Sequence, residues 1–297
     1  MAKKLRKGAA ALVATLVLLG PSAAPAVGQP LERLADARAA YNRGNYDEAI
    51  AAAREALATP AYRHVARIVL GRALLERHRL SGRAEDLDDA RAALRAVDPR
   101  AVGPRERAEL AVGLAETLYF EGHAAVAARI FDGLLDEAAL LADGSLPAGG
   151  PPGDRVGAAP VGAFSHRERL LDWWAAAVDR VAAAREPEGR RALYREMAAR
   201  MEAELRRDPG STPAAYWLVV ALRGAGDAEE AWAAAQAGWL RAGLARDRGA
   251  MLRADLDRLV LQGLVRDRAR RRAGGNAQEV EKLEAQLAAE WESFKAR

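Results

Sequence analysis

Tyr41-Asn42-Arg43-Gly44-Asn45-Tyr46-Asp47-Glu48-Ala49-Ile50, followed by Ala53, Ala56, Leu57 and Pro60, is the stretch that decides the fold. Its spacing predicts two amphipathic helices joined by a tight turn at Gly44. Glycine supplies the backbone freedom such a turn needs. Ala49, Ala53 and Ala56 fall on one helical face and let the second helix approach the first closely. Pro60, without an N–H and with a ring that clashes with the preceding turn, stops that helix.

The same grammar returns along the chain. Leu118 precedes Gly122 by four residues, and Ala127, Phe131 and Leu134 follow it at five, nine and twelve. Leu222 precedes Gly226, and Ala231, Ala235 and Gly238 follow at the same offsets. Gly44 and Gly122 are 78 residues apart, which suggests two periods of about 34 with an insertion; Gly122 and Gly226 are 104 apart, close to three such periods. A weaker unit opens at Leu70-Gly71 and Leu74 and closes at Ala90, Leu94, Val97 and Asp98-Pro99, with a long turn expected over 76–86. Another helix pair is expected over 165–207, its first helix opened by the capping-box spacing Ser165-His166-Arg167-Glu168 and stopped near Pro187. Asn276 stands as an N-cap before Glu279. Val280, Leu283, Leu287, Trp291 and Phe294 then recur on one face of a terminal helix, which would cover the last unit or form a short coiled-coil seam.

Composition agrees with this pattern. Alanine, leucine, arginine and glutamate dominate the 297 residues, and such side chains lose little freedom in a helix. The fold class is all-α: the pattern is expected to give antiparallel helix pairs stacked as an α-solenoid, interrupted by one Pro/Gly-rich stretch and finished by a capping helix, with an alanine-rich helix bundle as the alternative. That stretch, residues 143–164, carries Pro147, Gly149, Gly150, Pro151, Pro152, Gly153 and Pro160, too many breakers for a helix. It reads as a linker or as an ordered loop, and it divides a helical block at 29–142 from a second at 165–245, which C-terminal helices at 246–297 follow.

The net charge of +4 is confined to one place. Lys3, Lys4, Arg6 and Lys7 account for it; without them 41 basic residues face 41 acidic ones. A globally basic surface that would condense on phosphates is therefore absent, and no nucleic-acid partner is expected. Arg266, Arg268, Arg270, Arg271 and Arg272 form one local cluster, readable as a helix end with cations at its negative pole or as a contact for an anionic lipid or polymer.

Residues 1–28 have the three parts of a secretory signal. A basic start precedes an apolar run at 9–19, Gly20-Pro21 breaks it, and Ala24-Pro25-Ala26 or Ala26-Val27-Gly28 offers a cleavage site. The run of about eleven residues is short of the roughly 20 a bilayer demands. A periplasmic or secreted protein is expected, with no stable membrane span once the signal is removed. Cysteine is absent, which removes disulfides, thiol catalysis and a lipidated cysteine.

These features resemble the tetratricopeptide repeat family, most closely over Tyr41 to Pro60 and less so around Gly122 and Gly226. The family's early tryptophan is missing from every unit. The resemblance implies a right-handed superhelix whose first helices line a concave groove that takes a peptide or a partner helix. The groove residues it points to are Arg38, Tyr41 and Asn42, then Arg72 and Glu76, then Glu116, Tyr119 and Phe120, a mixture of aromatic, arginine and acid suited to recognition. The Lys–Asn pattern with which relatives clamp a terminal carboxylate is not present, since Leu34 and Arg38 stand there. Tyr119 and Phe120 also suit packing between units.

Chemistry is not evident. His64, His78, His123 and His166 fall in separate units without metal-ligand spacing, and His123 reads as a solvent-facing turn residue. Neither a G-x-S-x-G elbow nor a phosphate loop occurs; Ser165 and Ser211 read as caps. Acid pairs such as Asp86 with Asp88 and Asp89, or Glu202 with Glu204, read as solvated faces. Trp173-Trp174 cannot both face one core from one helix, so one is expected to be buried and the other to lie against the Pro/Gly stretch or serve as a binding hot spot. The expectation is a non-catalytic interaction scaffold of the cell envelope with no cofactor and no metal; the alternative is a helical enzyme or accessory domain acting on an envelope polymer through an acid site.

Overall fold

The computed structural model describes residues 29–142, 166–245 and 248–296, and every regular element among them is helical. The chain forms α1 (Gln29–Asn42), α2 (Tyr46–Ala56), α3 (Arg63–Ser81), α4 (Ala84–Arg95), α5 (Pro104–Phe120) and α6 (Ala124–Ala142). It continues with α7 (His166–Ala183), α8 (Pro187–Arg207), α9 (Thr212–Ala225) and α10 (Ala228–Arg241). Then α11 (Gly249–Leu259) passes through a π turn (Val260–Leu264) into α12 (Val265–Ala273), and α13 (Ala277–Lys295) ends the fold. The expected signal peptide, Ser165 and the Pro/Gly-rich stretch lie outside the described residues.

Helices pack on their sequence neighbours, and each odd-numbered helix from α1 to α11 also touches the next odd-numbered one. The three glycine turns are built alike. Gly44, Gly122 and Gly226 have φ of 78°, 89° and 90°, with open space where a Cβ would stand, so backbone conformation alone selects glycine. In each turn the residue after the glycine donates its N–H to a carbonyl five positions back: Asn45 to Ala40 at 3.0 Å, His123 to Leu118 at 2.8 Å, Asp227 to Leu222 at 2.9 Å. These bonds satisfy carbonyls that a helix end leaves orphaned. The offset residues Ala49, Ala53, Ala56, Ala127, Phe131, Ala231, Ala235 and Gly238 are buried.

One expectation about spacing is corrected. The long turn over 76–86 is mostly helix: α3 runs to Ser81, and Gly82, at φ 70°, with Arg83 makes a short turn into α4. Residues 76–81 are good helix formers, and Arg77 ties the end of α3 to Asp86 of α4 with bonds of 2.9 and 2.6 Å. Between Gly122 and Gly226 the described residues hold α6, α7, α8 and α9, so one whole pair, α7 with α8, stands between the two glycine-turn pairs; residues 143–165 lie outside the described residues.

Burial also revises the reading of the tandem tryptophans. Trp173 and Trp174 are both buried in one continuous apolar cluster that extends from α5 to α13. Trp173 stacks on Phe131 of α6, while Trp174 lies under Arg200 of α8; a helix covered on two flanks can bury adjacent residues. A second apolar cluster spans α1 to the start of α5, where Leu110 belongs to one cluster and Val112 to the other. The expected cap at Asn276 forms, accepting from the N–H groups of Gln278 and Glu279, and Ser211 accepts from Ala214. Trp291 of α13 is buried against Trp232 and Trp239 of α10. Among the described residues no helix is long and apolar enough to cross a membrane.

Candidate functional site

Three residues of α3, Arg72, Glu76 and Arg79, recur at helical spacing and so lie on one face. That face meets Tyr41 of α1, Glu116 of α5, and Arg169 and Asp172 of α7. Arg72 and Arg169 both place a guanidinium over the Tyr41 ring, at 5.0 and 4.8 Å from its centre. Arg72 Nη2 stands 3.8 Å from Glu116 Oε1, close enough for ionic attraction and too far for a hydrogen bond. Arg79 Nη2 pairs with Glu76 at 2.9 Å, and its Nη1 lies 3.7 Å from Asp172. Trp217 of α9 donates to Asp172 at 2.8 Å, carrying the chain of contacts on to the next odd-numbered helix.

The centre of this cluster is buried while Arg79 at its edge is exposed, and its hydrogen-bonding capacity is only partly used. Glu116 is 0 % exposed and Glu76 2 %. Tyr41 Oη, Arg72 Nε and Nη2 and both Glu116 oxygens have no hydrogen-bond partner, while Glu76 Oε2 is held by its ion pair with Arg79. Buried polar groups are ordinarily satisfied, so a concentration of unsatisfied ones calls for a physical reason. Burial pushes the Glu116 carboxyl up to about 7, with the Glu76 charge adding to the rise and Arg72 and Arg169 opposing it. Burial likewise raises Asp172, against the Trp217 hydrogen bond and Arg79. The Tyr41 hydroxyl is raised by burial, and Arg72 and Arg169 only partly offset this. At neutral pH Glu116 is thus poised to hold or release a proton beside an arginine.

The residues expected from the sequence divide into three groups. Tyr41, Arg72, Glu76 and Glu116 come together in the cluster but are buried, where exposed groove residues were expected. Tyr119 and Phe120 are half-buried and meet Trp173 edge-on at 5.4 and 5.5 Å, with Arg180 over the Tyr119 ring and His78 edge-on to Phe120. Arg38 bridges to Glu106 and Glu109 of α5 at 3.2 and 3.3 Å, which ties α1 to α5, and Asn42 is exposed at the end of α1. Arg79, Arg169, Asp172 and Trp217 were not expected. Helical spacing from Arg72 marks Arg79, seven residues on along α3; Arg169, Asp172 and Trp217 come from other helices, and no spacing from the chosen residues marks them.

Other features resolve into packing. The arginine cluster joins α12 to its neighbours: buried Arg268 lies over the Trp232 ring at 4.4 Å and bonds Glu229, Arg272 bonds the same carboxylate, Arg271 bonds the Gly226 carbonyl, and Arg266 pairs with Glu284. Hydrogen bonds from Arg268 and Arg272 hold Glu229 down to about 2. Asp86, expected on a solvated face, is buried and paired with Arg77, and Glu204 bonds Arg167. Among the described residues no cluster of histidines and acids is arranged to hold a metal. An open hollow of about 450 Å³ between α8, α9 and α10 has a floor of Leu205, Leu218, Leu222 and Ala234, with Glu202, Arg206, Glu230 and Arg241 also lining it. None of the expected residues lines it. Comparison of the chain with protein-family models, curated proteins and solved structures gives no match.

Proposed function

We propose that the chain is a non-catalytic binding scaffold of the tetratricopeptide type, exported through residues 1–28, which receives a peptide or a partner helix along a groove formed by its odd-numbered helices. The observation that carries the reading is the concentration of unsatisfied polar atoms on Tyr41, Arg72 and Glu116, at the meeting of α1, α3 and α5. Folding alone gains nothing by burying them unpaired, because each forfeits its hydrogen bonds to water. Support also comes from the succession of contacts between odd-numbered helices and from the repeated glycine turn. The half-buried aromatics Tyr119 and Phe120, next to Arg79 and Arg180, provide the amphipathic surface that anchors partners.

A photo-crosslinking residue placed at Asn42 or at Tyr119 is expected to capture the same partner in intact cells. The same residue at Val126, exposed on α6, serves as the control. Capture from Val126 as efficient as from the other two, or different products from Asn42 and Tyr119, would remove the groove from the argument. The mature chain is expected to begin at Val27 or Gln29 and to partition with exported proteins, which intact-mass measurement of a fractionated cell decides.

One observation favours a second reading, an acid site acting on an envelope polymer: the Glu116 carboxyl, held at about 7, has the proton affinity of a general acid or base at neutral pH. Under that reading Glu116→Gln abolishes a turnover while crosslinking persists; under the scaffold reading there is no turnover to lose.

A further inference from the structure

We propose that the Tyr41–Arg72–Glu116 cluster seats an uncharged group that donates and accepts hydrogen bonds at once, a primary carboxamide of the kind carried by asparagine and glutamine side chains of a partner peptide. The inference rests on the scaffold reading and specifies what that groove recognises.

The unused groups define the complement. Arg72 offers Nε and Nη2 as donors, Tyr41 offers a hydroxyl, and Glu116 offers two acceptor oxygens. Donor and acceptor stand side by side, with Arg72 Nη2 and Glu116 Oε1 3.8 Å apart, so neither satisfies the other. A carboxamide presents its carbonyl oxygen to the guanidinium and its NH₂ to the carboxylate, and it uses both kinds of vacancy without adding charge.

Charge excludes the obvious competitors. Arg72, Arg79 and Arg169 face the carboxyls of Glu76, Glu116 and Asp172, the last two raised by burial, while Glu106 and Glu109 are taken up by Arg38 and Arg105. An ammonium or guanidinium ligand would meet Arg72 and Arg169 at once, and a carboxylate would meet Glu76 and Glu116. The cation is repelled at close range and the carboxylate brings no donor for the unpaired Glu116 oxygens, whereas a neutral amide serves donor and acceptor together. Entry is by way of Arg169: it is only partly buried and covers the Tyr41 ring, so its long side chain moves aside at less cost than any helix.

The test uses the mature full-length chain and a series of capped alanine-based peptides that differ only at the central residue: Gln, Asn, Glu, Lys, Leu and Ala. Binding is measured by fluorescence anisotropy of labelled peptides. Gln or Asn is expected to bind about tenfold or more tightly than Leu, Glu or Lys, the effect of one well-placed polar pair. Glu116→Gln is expected to erase the preference, because the new side-chain amide satisfies Arg72 from within. Arg72→Met is expected to erase it as well, and melting curves of both variants establish that they fold. Equal binding of the whole series means that buried water alone fills the vacancies and overturns the assignment, as does a preference for Glu or Lys. If no peptide binds while crosslinks from Asn42 and Tyr119 still form, the carboxamide assignment fails and the scaffold stands. If neither is seen, both fail.

Discussion

Glu116 shows how one side chain can be costly to the fold. Its carboxyl ionises at about 7 in the folded chain, against an ordinary 4.5 when unfolded, so the folded state holds the extra proton between those values. Stability is then greatest below the unfolded value and falls as pH rises towards 7, above which it levels off. Glu116→Gln removes that decline, and its advantage over the native chain is expected to grow by on the order of 2–3 kcal/mol between pH 4 and pH 8. Urea midpoints of the two proteins across that interval decide it; parallel profiles would show that the carboxyl titrates normally. The residue scale is also where the sequence was partly legible. Arg72, Glu76 and Glu116 were visible as polar residues on first helices, but their burial was not, because it depends on Arg169 and Asp172 arriving from about a hundred residues away in the chain.

At the scale of helices and turns, two kinds of glycine do different work. Gly226 is held at φ 90° with nothing near its missing Cβ, so Gly226→Ala is expected to cost about 1–2 kcal/mol through backbone strain alone. Gly71 sits inside α3, where a Cβ would stand 2.6 Å from Leu94 of α4, and a Cβ on Gly113 of α5 would stand 3.0 Å from the same leucine. Leu94 is wedged between two helices, so Gly71→Ala is expected to cost about 1–3 kcal/mol by overpacking. The double variant Gly71→Ala with Leu94→Ala is expected to recover part of what Leu94→Ala loses, because the added methyl enters the space vacated. Thermal unfolding of the single and double variants checks both claims, and simple additivity in the pair would contradict the wedge. The turn glycines were readable from sequence because a left-handed residue is a local requirement. Gly71 was visible only as a member of a weak unit, since close approach involves a second helix.

Across the whole molecule, backbone contacts concentrate between sequence neighbours and next-but-one helices, with a few side chains such as Arg38 and Arg169 reaching further, so a local loss is expected to stay largely local. Trp291 is fully buried beneath α13, and its Nε1 donates to Asp257 at 2.8 Å. Trp291→Ala is expected to cost about 3–5 kcal/mol. Hydrogen exchange is expected to speed up in α10 to α13 while α1 to α4 keep their native protection. Uniform acceleration across the chain would identify a single cooperative bundle and would count against a linear array.

The sequence by itself determined the helices, the repeated glycine turn with its buried offsets, the cap at Asn276 and the absence of thiol chemistry. Each of these follows from periodicity or from a conformational demand met within a few residues. Tertiary structure alone decided that both tandem tryptophans are buried, that the arginine cluster is an internal brace, and that Tyr41, Arg72 and Glu116 face one another with hydrogen bonds unmade. Those outcomes depend on which helix faces meet. Burial and electrostatic environment are set by neighbours in space, and no local spacing encodes them.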